Sequence, residues 1–219
     1  KYLNNDDLNK FSKLVVDILF PFLIFVTISQ HLTFEKLKFV WPLPLVGFGM
    51  IAIGSVFGIF LKKGITDDQP ELQKTFHHFC AVNNFGFLPI IIVYNLWGQE
   101  IVANLFLLNA GSNLGYWTIG VSLLGDSNFK SKLLKLITPS FLAVLIAIPF
   151  ALSGWQNQIP KFAWNAFTTI GNASVPCILL IVGASLYPLP KITKKWALIY
   201  LIFCRLVLIP LLLIIIIYF

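Results

Sequence analysis

Two adjacent asparagines, Asn83 and Asn84, followed by Gly86 and Pro89, interrupt a stretch otherwise apolar enough to lie in lipid, "CAVNNFGFLPIIIVYNLWG" from Cys80 to Gly98. The chemistry this spacing offers is recognition of charge by backbone. The residue before a proline is pushed away from helical geometry, and the proline lacks a donor and clashes with the preceding turn. Proline also suits the first turn of a new helix. The pattern predicts a half-helix ending near Asn83, a short link through Gly86, and a second half-helix starting at Pro89. A helix that starts inside a membrane aims free N–H groups and its positive dipole end at the space ahead, a place for a carboxylate or other anion. Asn83 and Asn84 add donors and acceptors beside it. Such a break is tolerated at membrane depth only where protein or a water-filled cavity satisfies the backbone. The competing reading is a proline kink whose asparagines bond neighbouring helices. The full Asn-Asn-Phe-Gly-Phe-Leu-Pro cluster favours the break.

The elements that must carry this site are membrane spans. Of the 219 residues 58% are hydrophobic and 11% charged, which excludes a water-soluble globular domain. Apolar stretches of about 20 residues, enough to cross roughly 30 Å of hydrocarbon as helix, recur along the chain. They fall near 9–29, 39–61, 74–97, 101–124, 133–153, 162–186 and 196–219. The fold class expected is therefore an all-α integral membrane protein, a polytopic helical bundle. If the spans alternate in direction, twelve lysines (Lys1, 10, 13, 62, 63, 74, 130, 132, 135, 191, 194 and 195) fall on one side and three (Lys36, 38 and 161) on the other. The lysine-rich side is then cytoplasmic. The net charge of +7 is thus a topology signal and needs no nucleic-acid partner.

Other polar groups lie inside the spans. Asp17 stands four residues before Pro21, and Arg205 lies about ten residues into the last span. Charges at such depth cost at least about 2.5–3.5 kcal/mol, so they pair or line a pathway. Asp17 and Arg205 are candidates to pair with each other or to flank a transport route, with Asp17 a protonation site. The alternatives are an Asp17 that snorkels to the interface and an Arg205 that bonds helix carbonyls. Asn109, Ser112, Asn113 and Tyr116 share one helical face and could line a cavity. Gly111 with Gly115, and Gly54 with Gly58, have the GxxxG spacing of close helix packing. His77, His78 and Cys80 lack a second ligand cluster, and adjacent histidines face different ways, so no metal is expected. Cys80, Cys177 and Cys204 read as small packing residues, and the "NAS" at Asn172 lies too deep for glycosylation. No Ser/His/Asp set, paired aspartates or phosphate loop points to an enzyme, and no cofactor is implied.

"LFPFLIFVTIS" (Leu19–Ser29) resembles "SVPCILLIVGAS" (Ser174–Ser185), and the lysine count runs the two spans in opposite directions. That is the pattern of an inverted repeat, common among secondary transporters. It divides the chain into 1–124, a first five-helix repeat lacking its first helix, and 130–219, a second repeat lacking its last two. The chain starts at lysine and stops inside "LLLIIIIYF", so a longer, ten-helix molecule is expected.

At this point the residues resemble a known family. "DLNKFSKLVVDILFPFLIF", "NNFGFLPIII" with "LWG", "NLGYWTIGVSLL", "GNASVPCILLIVGASL" and "CRLVLIP" are similar to segments of the auxin efflux carrier family, which includes plant PIN carriers and bacterial carriers of small organic acids. The resemblance covers most of the chain. It implies ten helices in two inverted five-helix repeats, with the fourth and ninth broken and crossing at the substrate site, as in the similar bile-acid symporter fold. It further implies a secondary carrier of small organic anions, auxin-like or dicarboxylic acids, working by alternating access without ATP. Carried over by position, Asn83, Asn84, Gly86 and Pro89 fall on the first crossing helix and Asn113 on the neighbouring polar face, where Asn109 joins it. The second crossing helix is absent here. The short connection after residue 124 is unlike the long loop of many plant members, so a bacterial-type member of the inner membrane is expected. Coupling to protons or sodium, and a homodimer, are compatible with this reading. The reading from another class is a membrane-embedded sensor or structural subunit that binds a ligand without moving it.

Overall fold

The computed structural model describes residues 4–65, 70–82, 87–125, 136–187 and 193–218. Among these the structure is helical, without strands. The helices are α1 (Asn5–Leu14), α2 (Phe20–His31), α3 (Phe34–Val40), α4 (Leu43–Leu61), α5 (Pro70–Ala81), α6 (Phe87–Trp97), α7 (Gln99–Gly115), α8 (Val121–Leu123), α9 (Pro139–Ser153), α10 (Lys161–Ser185), α11 (Lys195–Phe203) and α12 (Ile209–Tyr218). Among the described residues four helical stretches are long and apolar enough to cross a membrane: Asp6–His31, Phe34–Gly64, Lys161–Ser185 and Lys195–Leu212. The protein is thus an all-α polytopic membrane protein.

Helix ends follow local chemistry. Asn4 and Asp7 form a reciprocal capping box at the start of α1. Thr138 caps α9, accepting from the Phe141 amide at 3.2 Å, with Pro139 as the first helical residue. The same helix stops at Gly154, whose φ of +69° is the left-handed conformation that closes a helix.

Packing divides the chain into two compact units, and each draws on both halves of the sequence. One comprises Lys1–Leu45, Asn84–Gly111 and Leu136–Pro190. Its hub is α2, which lies along α9 and α10. Ala143, Ala147 and Ala151 recur at every fourth residue of α9 and are all buried, so the small side chains let the helices approach closely. On α10 the same end is reached with Gly171, where a Cβ would stand 2.8 Å from the Leu23 nitrogen. Val15, Phe20, Leu23, Ile24 and Ile28 fill the core with Ile90, Val102, Phe106 and Ile178. The Phe20 and Phe106 rings meet edge-on at 5.8 Å.

Lys36 and Glu100 form an ion pair at 2.7 Å that ties α3 to the first turn of α7. Lys36 bonds the Glu100 carboxylate and attracts it, holding this acid below its usual value of 4.5. A lowered folded-state pKa means that the stabilisation is present above the unfolded value and is lost as pH falls through the folded one. Both side chains are about half exposed, so the contribution is small and screened by salt. The Tm of Glu100→Gln is accordingly expected slightly below that of the unmodified protein at neutral pH, the gap closing as pH falls below the usual glutamate range. A pH-independent gap would contradict this assignment.

The other unit comprises Val46–Asn83, Ser112–Lys135 and Lys191–Phe219. Here α4 turns a glycine face to α5. A Cβ on Gly54 would stand 2.6 Å from the Cys80 carbonyl oxygen, and one on Gly58 would collide with the His77 ring. Phe76 of α5 stacks on Tyr200 of α11, with centroids 5.2 Å apart and planes 12° apart, and the Tyr200 hydroxyl donates to the Leu61 carbonyl at 3.0 Å. Gly115 packs against Ile51, so the Gly54/Gly58 and Gly115 positions all serve close helix contact.

Three stretches depart from α-helical spacing: Val15–Leu19, Tyr116–Gly120 and Cys204–Leu208 are π-helical turns. The Phe20 amide bonds the Val15 carbonyl, and the Ile209 amide bonds that of Cys204, each five residues back. Both turns end two residues before a proline, Pro21 and Pro210. Proline removes one ladder bond and crowds the turn before it, and a widened turn relieves that crowding. In Tyr116–Gly120 the Thr118 hydroxyl bonds the Leu114 carbonyl at 2.7 Å, a side-chain insertion of the kind that distorts a ladder.

Candidate substrate site in the interrupted span

The interrupted stretch is carried by two short helices. With 12 residues α5 is about 18 Å long, and with 11 residues α6 is about 16 Å long, at 1.5 Å per residue. Neither alone covers a hydrocarbon layer of about 30 Å. The first helix ends at Ala81 and the second begins at Phe87. Asn83, Asn84 and Gly86 lie outside the described residues. Pro89 is the third residue of α6, whereas the sequence placed it first. The amides of a helix's first turn have no intrahelical acceptor, so a proline there costs no bond and the helix starts two residues ahead of it.

The end of α5 is held on several sides. Its last bond runs from the Val82 amide to the His78 carbonyl at 2.8 Å. His77 is buried and its Nε2 lies 2.8 Å from the Ser55 carbonyl, which makes it the donor there. His78 points elsewhere, its Nδ1 2.9 Å from the Gly120 carbonyl in the π-turn after α7. The adjacent histidines thus brace α5 against two different helices, a role the sequence reading did not assign. Their divergent directions were legible from helical spacing; their carbonyl partners were not.

Along α7, Asn109 and Asn113 lie one turn apart and half-buried, and among the described residues neither side chain makes a hydrogen bond. Their amides are chemically able to take a polar ligand. Ser112 is 3% exposed and its hydroxyl donates to the Gly47 carbonyl at 3.2 Å, so this member of the polar face holds helices together. Gly111 faces the Pro44 backbone so closely that a Cβ would overlap its carbonyl. Tyr116 meets the His78 ring at 6.1 Å.

Asp17 is half-buried in the π-turn Val15–Leu19 and makes no hydrogen bond or ion pair among the described residues. Arg205 sits in the π-turn Cys204–Leu208, and its Nη1 donates to the Phe79 carbonyl at 3.0 Å. Asp17 belongs to the first packing unit and Arg205 to the second. The widened turns around both charges were missed by the sequence reading. The signal available was the proline that closely follows each, Pro21 and Pro210.

Long apolar helices, with asparagines within apolar helix, mark an integral membrane protein. Comparison with known proteins narrows this. The chain matches the membrane transport protein family over residues 1–127 and 123–219, and it belongs to that family, in keeping with its resemblance to the auxin efflux carriers. It is similar to an uncharacterized transporter of Methanocaldococcus jannaschii, 25% identical over 193 residues that cover 86% of this chain and 60% of that protein. It is also similar to Protein PIN-LIKES 1 of Arabidopsis thaliana, 30% identical over 91 residues covering 42% of this chain and 19% of that protein. The chain therefore spans less than two thirds of the length of these relatives. No solved structure matches it.

Proposed function

We propose that the chain is the greater part of a secondary-active carrier, of the efflux type, for a small organic anion such as an auxin-like or dicarboxylic acid. The observation that carries the reading is the span in which α5 ends at Ala81 and α6 begins at Phe87 around the Asn-Asn-Phe-Gly segment. The free amides at the start of α6 and its positive dipole end hold the carboxylate. Asn83 and Asn84 complete its hydrogen bonds, with Gly86 letting the backbone approach and Asn109 and Asn113 lining the polar side. Membership of a transport family and a relative named as a transporter support movement of the ligand over chemistry upon it.

In this proposal 1–124 and 130–219 are inverted repeats, and rocking of one body against another alternates access around the anion. The lysine-rich loops are cytoplasmic and the membrane is the plasma membrane. The protein acts without an enzyme's covalent steps and needs no metal or cofactor. Substrate counterflow in liposomes tests it: with unlabelled acid inside, external labelled indole-3-acetate or malate is expected to accumulate transiently and saturably. Saturable binding of either acid without flux would instead identify a sensor.

Asp17 is the proposed protonation site, because an ionisable side chain within an apolar helix, with no hydrogen bond or ion pair among the described residues, is the kind that lines a transport pathway. Asp17→Asn is expected to flatten the pH dependence of counterflow while leaving the protein folded. An unchanged rate and pH profile would remove Asp17 from the mechanism.

A further inference from the structure

We propose that Arg205 is a positioning residue for the interrupted span: its guanidinium fixes the C-terminal end of α5 and brings positive charge to that carbonyl end. Carbonyls in the last turn of a helix have no amide partner ahead of them within the helix, and together they form its negative end. In α5 these are the carbonyls of His78 to Ala81. That of His78 is taken by the Val82 amide, and that of Cys80 lies against Gly54 of α4. That of Phe79 accepts from Arg205 Nη1 at 3.0 Å.

The approach is built into both helices. Phe76 stacks on Tyr200, and one turn further along each helix Cys80 and Cys204 are buried in the same core, 2% and 0% exposed. That pairing brings residue 205 beside the carbonyl of residue 79. The π-turn Cys204–Leu208, forced by Pro210, sets the helical register at Arg205. Arginine suits this place because its planar fork directs a donor at the carbonyl while the charge stays delocalised, and a lysine would bring the same positive charge. The geometry explains why a cation is retained about ten residues into an apolar span, where insertion disfavours it. The consequence for binding rests on the carrier reading; the fixing of α5 does not.

Hydrogen–deuterium exchange on the intact protein in nanodiscs, compared among the unmodified chain, Arg205→Gln and Arg205→Lys, tests this directly. Arg205→Gln is expected to raise exchange at the amides of residues 79–82 about tenfold or more, while peptides from 161–185 keep their protection. Arg205→Lys, which keeps the charge, is expected to stay within about threefold of the unmodified protein. Unchanged protection in Arg205→Gln, or lost protection in Arg205→Lys, overturns the proposal. Should Arg205→Gln fail to fold, the lysine variant alone decides by the same criterion. In counterflow with labelled malate, Arg205→Gln is expected to raise KM about tenfold with little change in kcat, because an uncompensated negative helix end opposes an anion. If the unmodified protein shows no counterflow, the carrier reading fails while the exchange result still decides the role of Arg205.

Discussion

Replacing Asn83 and Asn84 together with alanine is expected to lower kcat/KM for carboxylate counterflow about hundredfold, with little change in thermal stability. Hydrogen bonds to a charged group contribute about 1.5–3 kcal/mol each, and a hundredfold loss corresponds to about 2.7 kcal/mol. The stability expectation follows from position. By sequence these residues fall between the end of α5 at Ala81 and the start of α6 at Phe87, where the proposal has them bond the ligand and not neighbouring helices. If the asparagines bond neighbouring helices, as the kink reading has it, the double variant loses Tm and flux together. Measuring both quantities on one preparation therefore separates ligand binding from helix bonding. The single variants are expected to lose less, about tenfold each.

Gly54→Ala is expected to damage both stability and counterflow, whereas Gly49→Ala in the same helix does neither. At Gly54 the added methyl would stand 2.6 Å from the Cys80 carbonyl oxygen and 3.1 Å from the Ala81 Cα, both backbone atoms at the end of α5. Backbone cannot rotate aside as a side chain can, so α5 must move from α4, a strain of about 1–3 kcal/mol. At Gly49 nothing lies within 4 Å of the added methyl. There the substitution only exchanges a poor helix former for a good one, worth up to about 1 kcal/mol of stability. Melting curves and counterflow for the pair check this, and equal behaviour of the two variants would show that Gly54 does not set the position of α5.

The spans were legible because length and hydropathy are physical requirements of the bilayer, and four of the stretches read from sequence are apolar helical stretches among the described residues. Proline and glycine act locally on the backbone, so the sequence also placed helix on both sides of residues 83–86, which lie outside the described residues; the helix edges were read less closely. Ala81 and Phe87 each stand two residues ahead of the positions read from the sequence, because a proline fits any place in a helix's first turn. The π-turns at Asp17 and Arg205 escaped because they depend on which carbonyl an amide selects, a choice that hydrophobic periodicity does not record. Which polar residues hold helices together was equally hidden. Ser112 looked the same as Asn109 and Asn113 on one helical face until the Gly47 carbonyl was found opposite it. The two packing units were beyond reach for a related reason: each combines segments from both halves of the chain, and only tertiary contacts say which.

The claim on which the function rests is that the amide end of α6 is open to water and receives an anion. Leu88, in the first turn of α6 and 50% exposed, is placed to report on it. In a background where Cys80, Cys177 and Cys204 are alanine, Leu88→Cys is to be treated with a membrane-impermeant, charged thiol reagent, with and without saturating malate or indole-3-acetate. Rapid labelling that one of the acids slows at least about tenfold is the result expected of a water-filled anion site. Labelling only by lipid-soluble reagents, at a rate neither acid alters, would contradict it.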